Sequence, residues 1–393
     1  MTPMKKEDAV LFLAGWWPSA DDPNDGIFVK EHALAVHELV PVVVIHLRLN
    51  KVATGRFRIE LTETNEDGIV VIRGEIQTAV RRFGLHNFLV RLAYRRALAM
   101  LSSRFRFRLA HIHVRTPMTE NGVHLAVQEK LPVIITEHST FYHRGISLQR
   151  EAEQTQEVER ISRWFAHPSI RMVLPVSQDL HEILHERFGI PTVKLRVIPN
   201  VASPVFIRRG RVETTPFCIV LAARWAGNKD PALFIEALHL LPELLRRTLS
   251  IQWVGDGEFI DETRAACAPY IQQGFMHFPG RLSKVELAPI LAQAHLLVHP
   301  TKAENLPCII IESLCCGTPV LSNAVNGVPE LVDETNGRLT APQDPVAFAH
   351  GLLWIMENYA HFDRDGIARA AQARYSAKAV AQQIVDVYDK VNT

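Results

Sequence analysis

Glu304-Asn305-Leu306-Pro307-Cys308-Ile309-Ile310-Ile311-Glu312 is the stretch on which the reading of this chain turns. Two carboxylates stand eight residues apart. The first falls in a loop just after the apolar strand pattern His295-Leu296-Leu297-Val298-His299-Pro300. The second falls inside a short apolar helix expected to end at Gly317, with Pro307 in its first turn, where a missing N–H costs nothing. The free N–H groups of that helix N-terminus would welcome an anion near Glu304. Glu312 interrupts what would otherwise be pure core, and a buried carboxylate is costly unless paired or hydrogen-bonded. Ligand hydroxyls would satisfy it. A capping Glu304 and an exposed Glu312 give the same spacing, so the rest of the chain has to decide.

At 393 residues the chain exceeds one ordinary core, and two domains are expected. Apolar content of 47% and charged content of 22% are those of a globular protein. A net charge of +1 gives no global pull toward nucleic acid. Five cysteines, at 218, 267, 308, 315 and 316, form no metal-ligand or disulfide pattern and fit a reducing cytosol. Met1-Thr2-Pro3-Met4 leads into a strand without the apolar length of a signal peptide, and no run is long enough to span a bilayer. These features set a cytoplasmic expectation.

Short apolar runs alternate with helical patterns from end to end. Strands are expected at Ala9–Ala14, Val42–Leu47, Ile69–Ile72, Leu109–Val114, Pro132–Thr136, Met172–Val176 and Lys194–Ile198. A second series follows at Phe217–Ala222, Ser250–Val254, Leu296–His299 and Pro319–Ser322. The alternation argues for an α/β fold with parallel sheets covered by helices on both faces. The pattern breaks near Pro199–Pro216, read as a linker between two doubly wound, Rossmann-like domains. The first spans 1–202 and is completed by a C-terminal helix at about 376–393; the second spans 203–375. Ligands of open α/β sheets bind outside the carboxyl ends of the strands. Gly15, His113, Glu137-His138, Ser177, Asn200, Arg224, Gly255-Asp256, Thr301 and Ser322-Asn323 stand at those ends, so the ligand is expected in a cleft that the two domains face.

Arg224 and Lys229 flank the start of a helix pattern at Pro231–Leu241, an arrangement suited to a diphosphate, and equally available to two solvated loop cations. Gly255-Asp256-Gly257-Glu258 is a tight loop that would let a ligand approach. Gly26 should start the helix Phe28–Val40, where it would admit a phosphate or simply make a turn. His138 could bind a sugar hydroxyl or move a proton, and as a lone histidine it could equally be structural.

Together these residues resemble the family-4 retaining glycosyltransferases, whose fold is GT-B. The resemblance runs through Trp16-Trp17-Pro18 to Gly26-Ile27-Phe28-Val29, Ile134-Ile135-Thr136-Glu137-His138, Pro175-Val176-Ser177 and Val197-Ile198-Pro199-Asn200. It continues through Arg224 with Lys229, Val254-Gly255-Asp256-Gly257, Phe278-Pro279-Gly280, Glu304 to Glu312 and Gly327-Val328-Pro329-Glu330. The tail from Arg374-Tyr375-Ser376 to Val387-Tyr388 looks like the family's closing helix. Val201-Ala202-Ser203 departs from the usual Gly-Val-Asp, and Pro307 removes one backbone donor.

What the resemblance implies is a transfer of a hexosyl group from a nucleotide-diphosphate sugar to a hydroxyl acceptor, with the anomeric configuration retained. Arg224 and Lys229 would hold the diphosphate, Glu312 the ribose, and Glu304 the donor sugar. The backbone of Asn305, Leu306 and Cys308 would touch sugar and phosphate, and His138 would lie near the anomeric carbon. Gly26 would sit against the phosphates. Gly255 and the Gly280-Arg281-Leu282 loop would hold the base. Neither a cofactor nor a metal is expected, the nucleotide sugar being a co-substrate. Cell-surface glycan, exopolysaccharide or glycolipid synthesis would follow, with a glycan or lipid-linked acceptor. A sugar-nucleotide epimerase of GT-B-like fold and a catalytically silent sugar-nucleotide or glycan-binding partner are the alternatives.

One stretch stands outside the donor chemistry. No acidic residue occurs between Glu75 and Glu120, while Arg81, Arg82, Arg91, Arg95, Arg96, Arg104, Arg106, Arg108 and Arg115 all do, interleaved with Phe83, Leu85, Phe88, Leu89 and Leu92. Such a surface can lie on anionic lipid at the inner face of a membrane, or form a solvated helix face over the first core.

Overall fold

The computed structural model describes residues 5–51, 57–79, 83–143, 151–210 and 215–392. The chain divides into two compact units, Met1–Pro199 with Val380–Thr393, and Asn200–Ala379.

The first unit carries seven strands: β1 (Glu7–Ala14), β2 (Val42–Lys51), β3 (Arg58–Glu66), β4 (Ile69–Thr78), β5 (Phe105–His113), β6 (Val133–Glu137) and β7 (Ile170–Pro175). Their order is β3-β4-β2-β1-β5-β6-β7, parallel except for β3, which pairs antiparallel with β4 at the edge. The second unit carries β8 (Phe217–Ala222), β9 (Leu249–Val254), β10 (Met276–Gly280), β11 (Leu296–His299), β12 (Val320–Asn323) and β13 (Gly337–Thr340). Their order, β10-β9-β8-β11-β12-β13, is parallel throughout.

Counted within each unit, both sheets have the 3-2-1-4-5-6 order of the doubly wound Rossmann fold, the first with β3 added outside it. Strand order reverses between β1 and β5 and between β8 and β11. Those two switch points are where this fold class opens a crevice for ligands. The central strands read as unbroken apolar runs because both faces are covered: Val10 to Ala14 and Leu296 to His299 are buried without interruption.

Ten of the eleven expected strands are present. Lys194–Ile198 is not a strand. Its backbone runs beside β7, with N–H bonds from Arg196 to Val173 and from Ile198 to Pro175, but bridges it only at Leu195. Pro191 and Pro199 close it at both ends. Three strands were not expected, and all are edges. β3 packs only Ile59 and Leu61 on the core, β10 contains Pro279, and β13 is four residues long. Edge strands have one open side and tolerate proline and polar residues, so they lack the apolar signature.

The last helix, Ala377–Asn392, contributes Val380, Ala381, Ile384, Val387 and Tyr388 as buried residues at helical spacing. The Tyr388 hydroxyl meets His111 Nδ1 at 2.6 Å, and Thr136 Oγ1 meets the other ring nitrogen at 2.7 Å.

Candidate active site

The loops after β8 and β11 are stitched together by backbone. Lys229 bridges Thr301, Lys302 N–H donates to Asn228 at 2.8 Å, and Asp230 N–H donates to Pro300 at 3.1 Å. The Thr301 hydroxyl is 3.1 Å from the same Asn228 carbonyl. These ties fix where Lys229 ends, just before the helix Pro231–Leu240.

Lys229 Nζ forms an ion pair with Glu304 Oε1, and both side chains are largely buried. The same oxygen lies 3.0 Å from His299 Nε2 and 3.2 Å from Thr301 Oγ1. Glu304 N–H in turn donates to Asn326 Oδ1 at 3.2 Å. Burial would raise the Glu304 carboxyl. The Lys229 ammonium and the His299 contact outweigh it and hold the group down to about 2. Burial and the Lys229 charge lower His299. A neutral His299 facing an ionised, acceptor-only carboxylate must carry its proton on Nε2. Glu304 is therefore a fixed anion supported from three sides.

The helix Cys308–Cys315 begins after Pro307, which stands at the N-cap rather than in the first turn, and closes in a Schellman motif. Thr318 N–H bonds to Ser313 and Gly317 N–H to Leu314. Glu312 is buried on this helix, 6% exposed, and Lys284 Nζ reaches its Oε1 at 3.2 Å from the start of the helix Lys284–Gln293. The sequence asked what would satisfy Glu312; part of the answer is Lys284. Asn200 Nδ2 donates to the Leu306 carbonyl at 2.6 Å, pinning the loop that carries Asn305 and Leu306, both buried, and leads to half-buried Cys308.

Arg224 is exposed at the start of the loop after β8. Arg281 is exposed as well, 3.8 Å from Asp256, and Leu282 beside it is half-buried. Gly255 has φ 121, and a Cβ there would overlap the Ala223 carbonyl oxygen. The glycine thus serves chain packing against the β8 loop. Buried Trp225 completes the contact, its N–H donating to Asp256 at 2.6 Å and its indole to Val254 at 2.9 Å.

In the first unit, Gly26 is the N-cap of the helix Ile27–His37, with φ 65 and its backbone pressed on Trp16 and Trp17. Phe28 from that first turn packs against His138 at 4.6 Å. His138 is not a lone histidine: His32 and His113 lie around it, with ring centroids at 5.1 and 5.7 Å. Beside it, Glu137 is fully buried, raised by burial against the opposing pull of Arg115, and held by the Arg115 N–H and the Tyr142 hydroxyl, each at 3.0 Å.

The structure thus joins Lys229 to Glu304 and joins Glu312 to a lysine. It gathers Gly26, through Phe28, and His138 in the other unit. Sequence reasoning missed His299, Asn326 and Lys284. His299 had a signal, as the last residue of a strand five positions before Glu304. Lys284 had none, because its partner comes from another helix.

Solved structures with this fold include glycosyltransferases. The Anabaena protein HepE, solved with UDP and glucose, superposes with a TM-score of 0.69 at 16% identity over 97% of this chain and 99% of that one. Sucrose-phosphate synthase of Thermosynechococcus elongatus gives 0.73 at 18% over 98% and 99%. The architecture is GT-B. Residues 29–204 match the family described as Glycosyltransferase Family 4, and residues 216–358 match Glycosyl transferases group 1. The chain belongs to the family-4, group 1 glycosyltransferases. An uncharacterized glycosyltransferase of Methanocaldococcus jannaschii is 25% identical over 70% of this chain and 74% of its own length. The D-inositol 3-phosphate glycosyltransferase of Xylanimonas cellulosilytica is 27% identical over 55% of this chain; the match spans about half of that relative, 47%.

Proposed function

We propose that this glycosyltransferase moves a hexosyl group, with retention, from a nucleotide-diphosphate sugar to a hydroxyl acceptor. The observation that carries the reading is the Lys229–Glu304 pair, set on stitched loops at the switch point of the second sheet. A fold relative solved with UDP and glucose supports a nucleotide sugar as the ligand.

In this reading Arg224 and Lys229 take the diphosphate. Its charge grows as the glycosidic bond breaks, so pre-aimed cations stabilise the transition state more than the ground state. Glu304, ionised and immobile, takes hydroxyls of the donor sugar. Glu312, with Lys284 beside it, takes the ribose. The backbone of Asn305, Leu306 and Cys308 lines sugar and phosphate, and Gly255, Arg281 and Leu282 border the base. Gly26 and His138 serve from the first unit. With two cations assigned to the leaving group, no divalent ion is assigned to it.

The acceptor is proposed to be a glycan or a lipid-linked hydroxyl, reached at the cytoplasmic face of a membrane. No helix among the described residues is long and apolar enough to cross one. Arg81 and Arg82 lie outside the described residues. Arg104 and Arg106 are paired with Glu63 and Asp8, Arg115 with Glu120, and Arg91 is bonded to Asn121 and His124. Acids from elsewhere in the chain thus pair three of its arginines, Arg104, Arg106 and Arg115. The part offered to a lipid surface is one face of the helix Phe83–Leu101, where Phe88, Arg95 and Arg96 are exposed.

A panel of nucleotide sugars tests the reading. The true donor should raise the melting temperature, since a ligand at 100 times its Kd adds about 2.7 kcal/mol. Incubation with acceptors and NMR of the product would then report anomeric configuration. An epimerase would convert the donor without any acceptor, and a silent partner would bind without turnover.

A further inference from the structure

His32, His113 and His138 come from three places in the first unit: the helix Ile27–His37, the end of β5 and the residue after β6. One ring nitrogen from each lies within 4.8 Å of the other two. His113 Nδ1 and His138 Nε2 are 3.5 Å apart, long for a hydrogen bond between imidazoles. Two nitrogens bound at 2.0–2.1 Å to one tetrahedral ion stand about 3.3 Å apart. That pair's separation fits a shared ion, toward which the His32 nitrogen, within 4.8 Å of both, would draw in.

The surroundings fit too. His32 and His113 are fully buried. No partner among the described residues meets either ring nitrogen of His32, or Nε2 of His113, at hydrogen-bond geometry; the Pro199 carbonyl only approaches His32. Buried polar atoms left in that state are costly and call for an explanation. Phe12 stacks on His113 at 4.7 Å and Phe28 lies tilted against His138 at 4.6 Å, an apolar wall that holds the rings. His138, the most exposed of the three at 7%, marks the way in.

We propose that His32, His113 and His138 form a three-nitrogen site for a divalent transition-metal ion of the zinc type, with its fourth position open. An all-imidazole set suits zinc, copper, iron or nickel and is wrong for magnesium or calcium, which take oxygen. The site is distinct from the diphosphate chemistry. If the sugar contact assigned above to His138 holds, zinc and donor sugar compete for that ring; that consequence rests on the proposed function, and the site itself does not.

The test is metal binding. Protein stripped with chelator should take up one cobalt(II) per chain and show the intense visible bands of a tetrahedral ion. His32→Gln and His113→Gln should each weaken uptake by more than about tenfold, with circular dichroism confirming the fold. Zinc X-ray absorption on the wild-type protein, which needs no variant, should show three imidazole nitrogens at about 2.0–2.1 Å. A sulfur-containing shell, drawn from the cysteines, would overturn the assignment. So would an oxygen-only shell, no uptake by wild type, or uptake indifferent to both substitutions in folded protein.

Discussion

Lys229 and Glu304, 75 residues apart in sequence, hold each other across two loops that the backbone has already tied together. Each is the other's main counter-charge in a buried place, so their removal should be strongly non-additive. Lys229→Met leaves the Glu304 carboxylate uncompensated and should cost about 3–5 kcal/mol of stability. Adding Glu304→Leu should recover much of that loss. Urea melts of the two single variants and the double would check it; additive losses would mean the pair is not coupled.

The phosphate grip is read most cleanly at Arg224, which is exposed and peripheral to the buried pair. Arg224→Ala should weaken a nucleoside diphosphate by about 1.5–3 kcal/mol, roughly tenfold to a hundredfold, and leave the bare nucleoside unchanged. Calorimetric titrations of both ligands settle it. Equal affinities in wild type and variant would remove Arg224 from the site.

Glu304 and Glu312 should separate kinetically. Glu304→Gln keeps the shape but loses the anion beside the reacting sugar, and should lower kcat by at least about tenfold with a smaller change in donor KM. Glu312→Gln, which also releases Lys284, should chiefly raise donor KM. If the two variants behaved alike, the assignment of one to sugar and the other to ribose would fail.

Acid should act on His46 before it acts on the carboxylates. Its Nδ1–H donates to the Ala14 carbonyl at 2.9 Å, and its Nε2 accepts from Arg48 Nε at 3.2 Å. Burial lowers it to about 4; Arg48 and Arg73 push the same way, and the Ala14 carbonyl and Glu66 oppose them. Because the folded value lies below the unfolded 6.5, its stability is full above pH 6.5 and is lost as pH falls toward 4. The loss should approach roughly 3 kcal/mol. Glu304 has the same sign in a lower window, full above 4.5 and lost toward 2. His46→Gln should flatten the fall in melting temperature between pH 6.5 and 4.5. A wild-type melting temperature unchanged over that range would contradict this.

Anionic liposomes test the exposed face of the helix Phe83–Leu101. Each basic residue near the surface contributes about 1 kcal/mol, screened by salt. Co-sedimentation at low salt should need anionic lipid and should be lost in Arg95→Glu/Arg96→Glu. Wild-type protein that ignores such vesicles would leave a solvated helix face.

The central strands could be read from sequence because burial on both faces writes itself as an unbroken apolar run, as in Leu296–His299. The edges could not: β3 alternates weakly and β10 carries a proline. The carboxylates of the site were legible because Glu312 stands where a core residue belongs. The partner of Glu312 was not, because Lys284 comes beside it only when the fold brings another helix there; His299, at a strand end five residues before Glu304, did leave a signal. The histidines show the same limit. His138 looks solitary in the chain, and only the fold sets His32 and His113 against it.

The closing helix has a consequence for how this protein is made. His111 sits at the heart of the first sheet, yet the hydroxyl that meets its Nδ1 belongs to Tyr388. Every residue of the second unit leaves the ribosome before that tyrosine does. The unit synthesised first is therefore the one finished last, holding an open seam over His111 while its neighbour folds. Slow translation or a stalled chain would expose that seam, and a fragment ending near Pro199 would carry it permanently.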